Sequence, residues 1–402
     1  MRIVISGCGV AGPTLAWWLH RGGHEPVLLE AASRLRVGGY MIDFWGVGYD
    51  VAERMGLLPE VRAVGYDLQE VRYLDRSGAK AASISAKTMS RELGERFTSL
   101  PRGDLAAILH RAIEGEVETR FSTTIAAIDE HPRGVRLGLS DGSELEADVV
   151  VGADGLHSAV RSLTFGPQAS FERPLGYYVA AFQAVGYRPR DELAYVSYGV
   201  AGKQISRFAQ RDDATMFLFV FAAERLAGPE PASLAQRKAA IVTVFENERW
   251  EWPAIRALLE AAPDVYFDRV SQIVMDRWSK GPVVLIGDAA ACVSLVAGEG
   301  TGLAMTQAYV LAGELGRADG DPARAFAAYE AALRPFIDGK QKSARAFASS
   351  FTPRTALGVF LRNQSARLMA LPGVAGLLLG AQMRDDFTLP DWPALAPARE
   401  LE

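Results

Sequence analysis

The chain has 402 residues, 49% of them hydrophobic and 23% charged, which is enough to bury more than one core, so two intimately packed domains are expected. Its formal net charge of -5 argues against a nucleic-acid partner, because proteins that neutralise phosphate backbones carry a basic excess. Cys8 and Cys292 are too few for a disulfide framework and lack metal-ligand spacing, so no metal is expected and a reducing cytoplasm fits.

The chain opens with "RIVIS", a short β-branched run suited to a strand buried on both faces of a parallel sheet. Gly7, Gly9 and Gly12 then form G-x-G-x-x-G, "PTLAWWLHRGG" continues as a helix stopped at Gly22 and Gly23, and "PVLLE" reads as a second strand ending at Glu30. In that context the glycines let the backbone approach a pyrophosphate, the helix start offers unpaired N–H groups, and Glu30 stands where a ribose hydroxyl is held. Dinucleotide binding is predicted, without a choice between FAD and NAD. The same stretch imitates a secretory signal, but Gly7, Gly9, Gly12 and Pro13 interrupt the apolar run, and "HRGGHE" stands where a small-residue cleavage site belongs.

"ADVVVGADGLHSAVR" predicts a buried strand over 148–152 that ends in Asp154-Gly155. A second such strand, over 282–286, ends in Gly287-Asp288, and a glycine-rich loop over 298–302 then starts a long helix. Carboxylates at the C-terminal ends of parallel strands lie where ligands bind in open α/β sheets. Capping of the following helix is the other reading of Asp154 and Asp288. Between these segments, "YYVAAFQAV", "LAYVSYG", "QISRFAQ" and "ATMFLFVFA" are short, aromatic and β-branched, and predict an antiparallel sheet lying over a substrate cavity. From about Pro322 the chain reads as successive helices broken near Pro353 and Pro372. The apolar "LMALPGVAGLLLGAQM" falls short of the roughly 20 residues a bilayer requires, so no membrane span is expected and a packed helix is.

Together with "LPRGDLAAIL", these segments resemble the single-component FAD-dependent monooxygenases with a para-hydroxybenzoate hydroxylase-like fold, a group that includes tetracycline-inactivating monooxygenases and polyketide and aromatic hydroxylases. The resemblance covers most of the chain. It rests on the glycines at 7, 9 and 12, on D-G-x-x-S-x-V-R at 154–161, on G-D-A-A at 287–290 and on R-x-x-L starting at Arg102. It implies an α/β fold: a Rossmann-like FAD-binding domain with a parallel sheet (1–72, 98–168 and 277–350), a substrate domain with a mostly antiparallel sheet (73–97 and 169–276), and C-terminal bracing helices and tail (351–402).

The resemblance further implies FAD held by Gly7, Gly9, Gly12, Glu30, Arg102, Asp154, Gly287, Asp288, Gly300, Thr301 and Gly302, with NADPH or NADH as co-substrate. The implied reaction hydroxylates an aromatic or polyketide-like small molecule with dioxygen through a flavin C4a-hydroperoxide. The helix starting near Gly300 would stabilise negative charge on the reduced ring. Gln183, in "FQAV", would face flavin and substrate, with Gln204 and Arg207 as weaker substrate-facing positions and solvated outward placement as their alternative. No catalytic base is assigned, and a monomer or weak homodimer is expected. An FAD-dependent dehydrogenase or reductase, and a flavin-binding regulatory protein without turnover, are the other readings.

"RWEWPAI" invites comparison with the W-x-W-x-I-P motif of flavin-dependent halogenases, but Pro253 precedes Ile255 here, and core packing explains the tryptophans better. The family usually carries histidine after G-D-A-A, proline in the loop that follows and asparagine after the last glycine pair. This chain has Ala291, Ser294 with Leu295, and Gly302, so the cavity beside the reactive edge is expected to differ in shape.

Overall fold

The computed structural model describes residues 1–35, 40–85, 96–131, 134–294, 298–369, 374 and 385–392. The predicted first strand is Arg2–Ser6, at the centre of a six-stranded sheet. The order across that sheet is Ser279–Lys280, Val283–Leu285, Val149–Gly152, Arg2–Ser6, Glu25–Leu29 and Glu118–Arg120. All neighbours are parallel except the short first pair. The register aligns Ser6 with Gly152 and Leu29, so the three predicted motif loops leave the sheet at one edge. The middle residues of its inner strands, such as Ile3, Val4 and Ile5 or Val149, Val150 and Val151, are apolar and buried because both faces are covered. Helix Ala11–Arg21 packs on the long helix Gly300–Arg317, with the Trp18 and Tyr309 rings edge to face at 4.8 Å. Leu137, Leu139 and Leu145 of a three-stranded meander join the same core.

The second sheet has seven strands, in the order Tyr266–Ile273, Glu172–Val185, Ala214–Ala222, Lys203–Ala209, Ala194–Val200, Glu70–Leu74 and Lys80–Ser85. Only the pairing of Ala194–Val200 with Glu70–Leu74 is parallel. The predicted mostly antiparallel sheet is therefore present, and it recruits two strands from earlier in the chain.

Side-chain alternation gives this sheet two apolar faces. Phe217, Phe219 and Phe221 pack with Phe245, Trp252 and Leu259 of the helices Leu234–Phe245 and Trp252–Ala261. Met216, Leu218 and Val220 face the other way, toward Tyr40, Met41 and Tyr66. Trp252 is buried in the first of these clusters and Trp250 stacks on Tyr198 at 5.1 Å, so both tryptophans are packing residues.

The helix Pro322–Phe351 joins the two sheets. The amide nitrogen of Gln341 donates to the carbonyl oxygens of Ile273 and Cys292 at 2.7 and 3.0 Å. Gln272 donates in turn to the carbonyls of Val293 and Gln341, both at 2.8 Å. A last described helix, Ala356–Met369, lies against Lys80–Ser85. The predicted apolar stretch over 368–383 lies almost wholly outside the described residues. Among the described residues no helix is long and apolar enough to cross a membrane.

Candidate cofactor site

The three glycines of the first loop do different work. Gly7 has φ +107, and a Cβ there would lie 2.5 Å from the carbonyl oxygen of Ala153. A Cβ on Gly12 would lie 2.0 Å from the carbonyl oxygen of Gly7. These two glycines let strand, turn and helix close on one another. A Cβ on Gly9 would meet only the Arg102 guanidinium, at 3.7 Å, so Gly9 faces open space. The helix beginning at Ala11 has no side-chain cap and no acidic residue in its first turn, which leaves its N–H groups and positive dipole end for an anion. Glu30 accepts from the backbone N–H groups of Cys8 and Ala32, both at 2.9 Å, and so fixes the loop from the second strand.

Arg102 begins the helix Arg102–Arg111 and turns its guanidinium into the same space. Its backbone N–H donates to the Tyr40 carbonyl at 3.1 Å, but among the described residues the guanidinium has no hydrogen-bonded or ion-paired partner. Burial works against its charge, but the nearby oxygens of Tyr40, Asp288 and Tyr266 outweigh that and raise its pKa. Asp288 stands opposite, at the start of the short helix Asp288–Ala291. Burial raises its carboxyl above the ordinary range, with Arg102 opposing. Gly300 comes close, since a Cβ there would lie 3.6 Å from an Asp288 oxygen.

These groups line one cavity that runs from Gly9 past Arg102 and Asp288 to Thr301, and on to Tyr266 and Asp268 of the second sheet. An unpaired guanidinium and an uncapped helix start suit a pyrophosphate, Gly9 leaves the backbone bare, and Asp288 offers oxygens to hydroxyl groups. FAD fits this donor set.

Asp154 does not line that cavity, although Ala153, Gly155 and Leu156 do. Its carboxylate accepts from Ser158 Oγ and from the Val160 N–H at 3.1 Å, which is the capping role. Gly287, at φ +62, donates its N–H to Gln307 at 3.0 Å. Gly302 packs backbone to backbone on the helix Gly46–Arg54, where a Cβ on Gly48 would lie 2.2 Å from its Cα.

The substrate-facing candidates separate. Gln183 is exposed and donates to Gln210, whose amide nitrogen reaches Met41 Sδ at 3.2 Å, so it lies on the sheet face turned toward the dinucleotide half. Gln204 and Arg207 are not solvated, being 1% and 2% exposed. Gln204 donates to Ser206 and accepts from Arg362 at 3.1 Å. Arg207 points to the opposite face, away from the cofactor half, and pairs with Asp191 at 2.5 Å and Glu251 at 2.7 Å. The expectation for Arg207 is corrected: helices cover that face, and a charge beneath them requires carboxylate partners.

Sequence reasoning did not single out Tyr40, Tyr266 or Asp268, which reach the cavity from a loop and from a strand of the other sheet. Asp268 also pairs with His157 at 3.0 Å and raises its pKa, against the opposing effect of burial. No local pattern marks these residues, because they meet only once the two sheets face each other. Of the departures from the usual loop, Ala291 is buried and Ser294 takes φ +120, while Leu295 lies outside the described residues.

The FAD binding domain family model matches residues 1–337. A flavin-dependent monooxygenase from an unknown prokaryotic organism is 32% identical over 349 residues, covering 85% of this chain and 87% of that one. The flavin-dependent monooxygenase EupH of a Phoma species is 32% identical over 413 residues, covering 95% and 93%. The crystal structure of tetracycline destructase Tet(55) superposes with a TM-score of 0.82 at 30% identity, covering 97% of this chain and 98% of that one. HpxO of Klebsiella pneumoniae, solved with FAD and uric acid, shares the fold at 23% identity and a TM-score of 0.77. With an FAD-shaped donor set at the predicted sheet edge and relatives matched over most of both chains, this protein belongs to the single-component FAD-dependent monooxygenases.

Proposed function

We propose that the chain uses NADPH or NADH and dioxygen to hydroxylate an aromatic or polyketide-like small molecule. The observation that carries this reading is the unpaired Arg102 guanidinium facing an uncapped helix start in a cavity that continues to the second sheet. Bound FAD supplies what the side chains lack, namely acceptance of hydride from the nicotinamide and delivery of one oxygen atom from dioxygen. Arg102 and the N–H groups at Ala11 bind the pyrophosphate, and Asp288 accepts hydrogen bonds from the sugar-alcohol hydroxyls. The helix start at Gly300 presents its positive end to charge on the reduced ring.

The division of the chain into a cofactor part and a substrate part, at the boundaries expected from sequence, belongs to the same proposal. Tyr40, Ile42 and Tyr266, which line the cavity where the two sheets face each other, exclude water and offer an apolar, aromatic surface to a planar substrate. The relatives favour that class, since Tet(55) is named as a tetracycline destructase.

Anaerobic mixing of the FAD-loaded protein with NADPH and with NADH, followed by an aerobic screen of phenols and polycyclic compounds that includes tetracycline, tests the proposal. Flavin bleaching by at least one nicotinamide and hydroxylated product from at least one compound are expected. Bleaching without any oxygenated product would favour a dehydrogenase on the same scaffold. Failure of both nicotinamides to bleach the flavin would favour a binding role without turnover.

A further inference from the structure

The helix Ala356–Met369 lies against the edge strand Lys80–Ser85 with its polarity inverted. Its packed side is small and polar: Ala366 packs with Ala82 and Ile84, Asn363 is buried, and Arg362 reaches the Gln204 side chain at 3.1 Å and lies over the Tyr73 ring at 4.8 Å. Its large apolar side chains are on the outside. Leu357, Phe360, Leu361 and Leu368 are 66, 56, 54 and 54% exposed. At about 3.6 residues per turn these four fall within about 100° of arc, and Ala366 lies on the far side. A helix on a water-facing surface turns such a stripe inward.

The other large apolar side chains exposed among the described residues, Leu163, Val185, Val274 and Phe347, are scattered over other elements and call for no partner. Four on one helix face form a patch that does.

The charge around the patch says what kind. No Asp or Glu occurs between Asp338 and Asp385, although the chain as a whole carries -5. Lys340 and Arg362 in that stretch are committed inside the protein, whereas Lys342, Arg345, Arg354 and Arg367 are exposed. Arg354 and Arg367 stand near the two ends of the stripe. Arg367 spends only its Nε, on the Ala81 carbonyl at 2.6 Å, and its other nitrogens have no partner among the described residues. A second copy paired antiparallel on this face would bring Arg354 and Arg367 of the two chains together, like charge on like charge. Leucine and phenylalanine on one face with arginine at its margins instead match the boundary between headgroups and acyl chains in a negatively charged bilayer.

We propose that the helix Ala356–Met369 docks the protein on the surface of an anionic lipid bilayer. Leu357, Phe360, Leu361 and Leu368 enter the headgroup–acyl boundary, and Arg354 and Arg367 lie at the level of the lipid phosphates. Apolar burial supplies most of the affinity, and the cations select charged lipid. None of these residues lines the cofactor cavity, so attachment and FAD binding are separable.

Co-sedimentation of the FAD-loaded full chain with two kinds of vesicle tests this, one of phosphatidylcholine alone and one of phosphatidylcholine and phosphatidylglycerol in equal parts. Binding to the mixed vesicles is expected, weakening as salt is added, with far less binding to phosphatidylcholine alone. Phe360→Ser should weaken it at least about tenfold, from the lost burial of one aromatic side chain. Arg367→Gln should weaken it about fivefold, the worth of one cation at a charged surface. Phe360 and Arg367 are both exposed, so FAD content and melting temperature should stay at the wild-type values. No binding to the mixed vesicles, equal binding to both kinds, or binding that Phe360→Ser and Leu361→Ser leave unchanged would overturn the inference. A dimer in solution that these substitutions dissociate, without vesicle binding, would overturn it in favour of a second copy on this face.

Discussion

The Arg161 guanidinium donates to the carbonyl oxygen of Ala289, 128 residues further along the chain, at 3.0 Å, and to that of Leu156 at 2.6 Å. This side chain is fully buried and has no carboxylate on it, so burial pulls its pKa down. It sews together the loops that leave two neighbouring strands of the six-stranded sheet. Arg161→Met should remove both bonds and strand two buried carbonyls, at a cost of about 2–4 kcal/mol. Chemical denaturation of the FAD-free protein measures that loss, and a change within experimental error would refute the structural role.

The first-loop glycines should respond differently to alanine. Gly12→Ala places a Cβ against the Gly7 carbonyl and should lower the melting temperature of the FAD-free protein by several degrees. Gly9→Ala meets only the far end of a flexible arginine, so that protein should melt like the wild type while binding FAD more weakly. Melting curves with and without FAD separate the two effects, and equal behaviour of the two variants would contradict the assignment.

Arg207 pairs with Asp191 and Glu251 on the face away from the cofactor half. Arg207→Ala should destabilise the fold by about 3–5 kcal/mol, because two carboxylates lose their buried partner. FAD affinity should be unchanged when measured well below the new melting point. A large loss of FAD affinity in a variant of near-wild-type stability would restore Arg207 as a site residue.

The His157–Asp268 pair gives stability a pH signature. Its folded-state pKa is raised, chiefly by the Asp268 hydrogen bond, above the ordinary 6.5. The stabilisation is therefore fully present below the unfolded pKa and is lost as pH rises through the raised folded value. The His157 side chain is 61% exposed, so solvent screening keeps the effect small. Melting temperatures of wild type and Asp268→Asn should differ most in mild acid and converge in mild alkali, and a gap that widens toward alkali would reverse the assignment.

The cofactor loops were legible in the sequence because covalent geometry dictates them. A turn closing at Gly7 and Gly12 admits no Cβ, so its residue type and spacing survive as a readable pattern. The parallel strands were legible too, since a strand covered on both faces must be apolar throughout. Asp154 was only half legible: a carboxylate after a strand can serve a ligand or the next helix, and the bonds from Ser158 and Val160 decide for the helix. Arg207 misled because alternation assigns a residue to a face without telling what covers that face. Its partners lie 16 and 44 residues away in sequence. Tyr266 and Asp268 left no signal, since the groups they meet in the cavity come from the other half of the molecule.

The most direct test of the central claim is turnover under isotopically heavy dioxygen. The FAD-loaded protein is given NADPH or NADH with the compounds of the screen, and product mass is read alongside nicotinamide consumption. Incorporation of one heavy oxygen atom per product, matched to one nicotinamide oxidised, is the predicted result. A product whose new oxygen comes from water, or one formed equally well without dioxygen, would contradict the account.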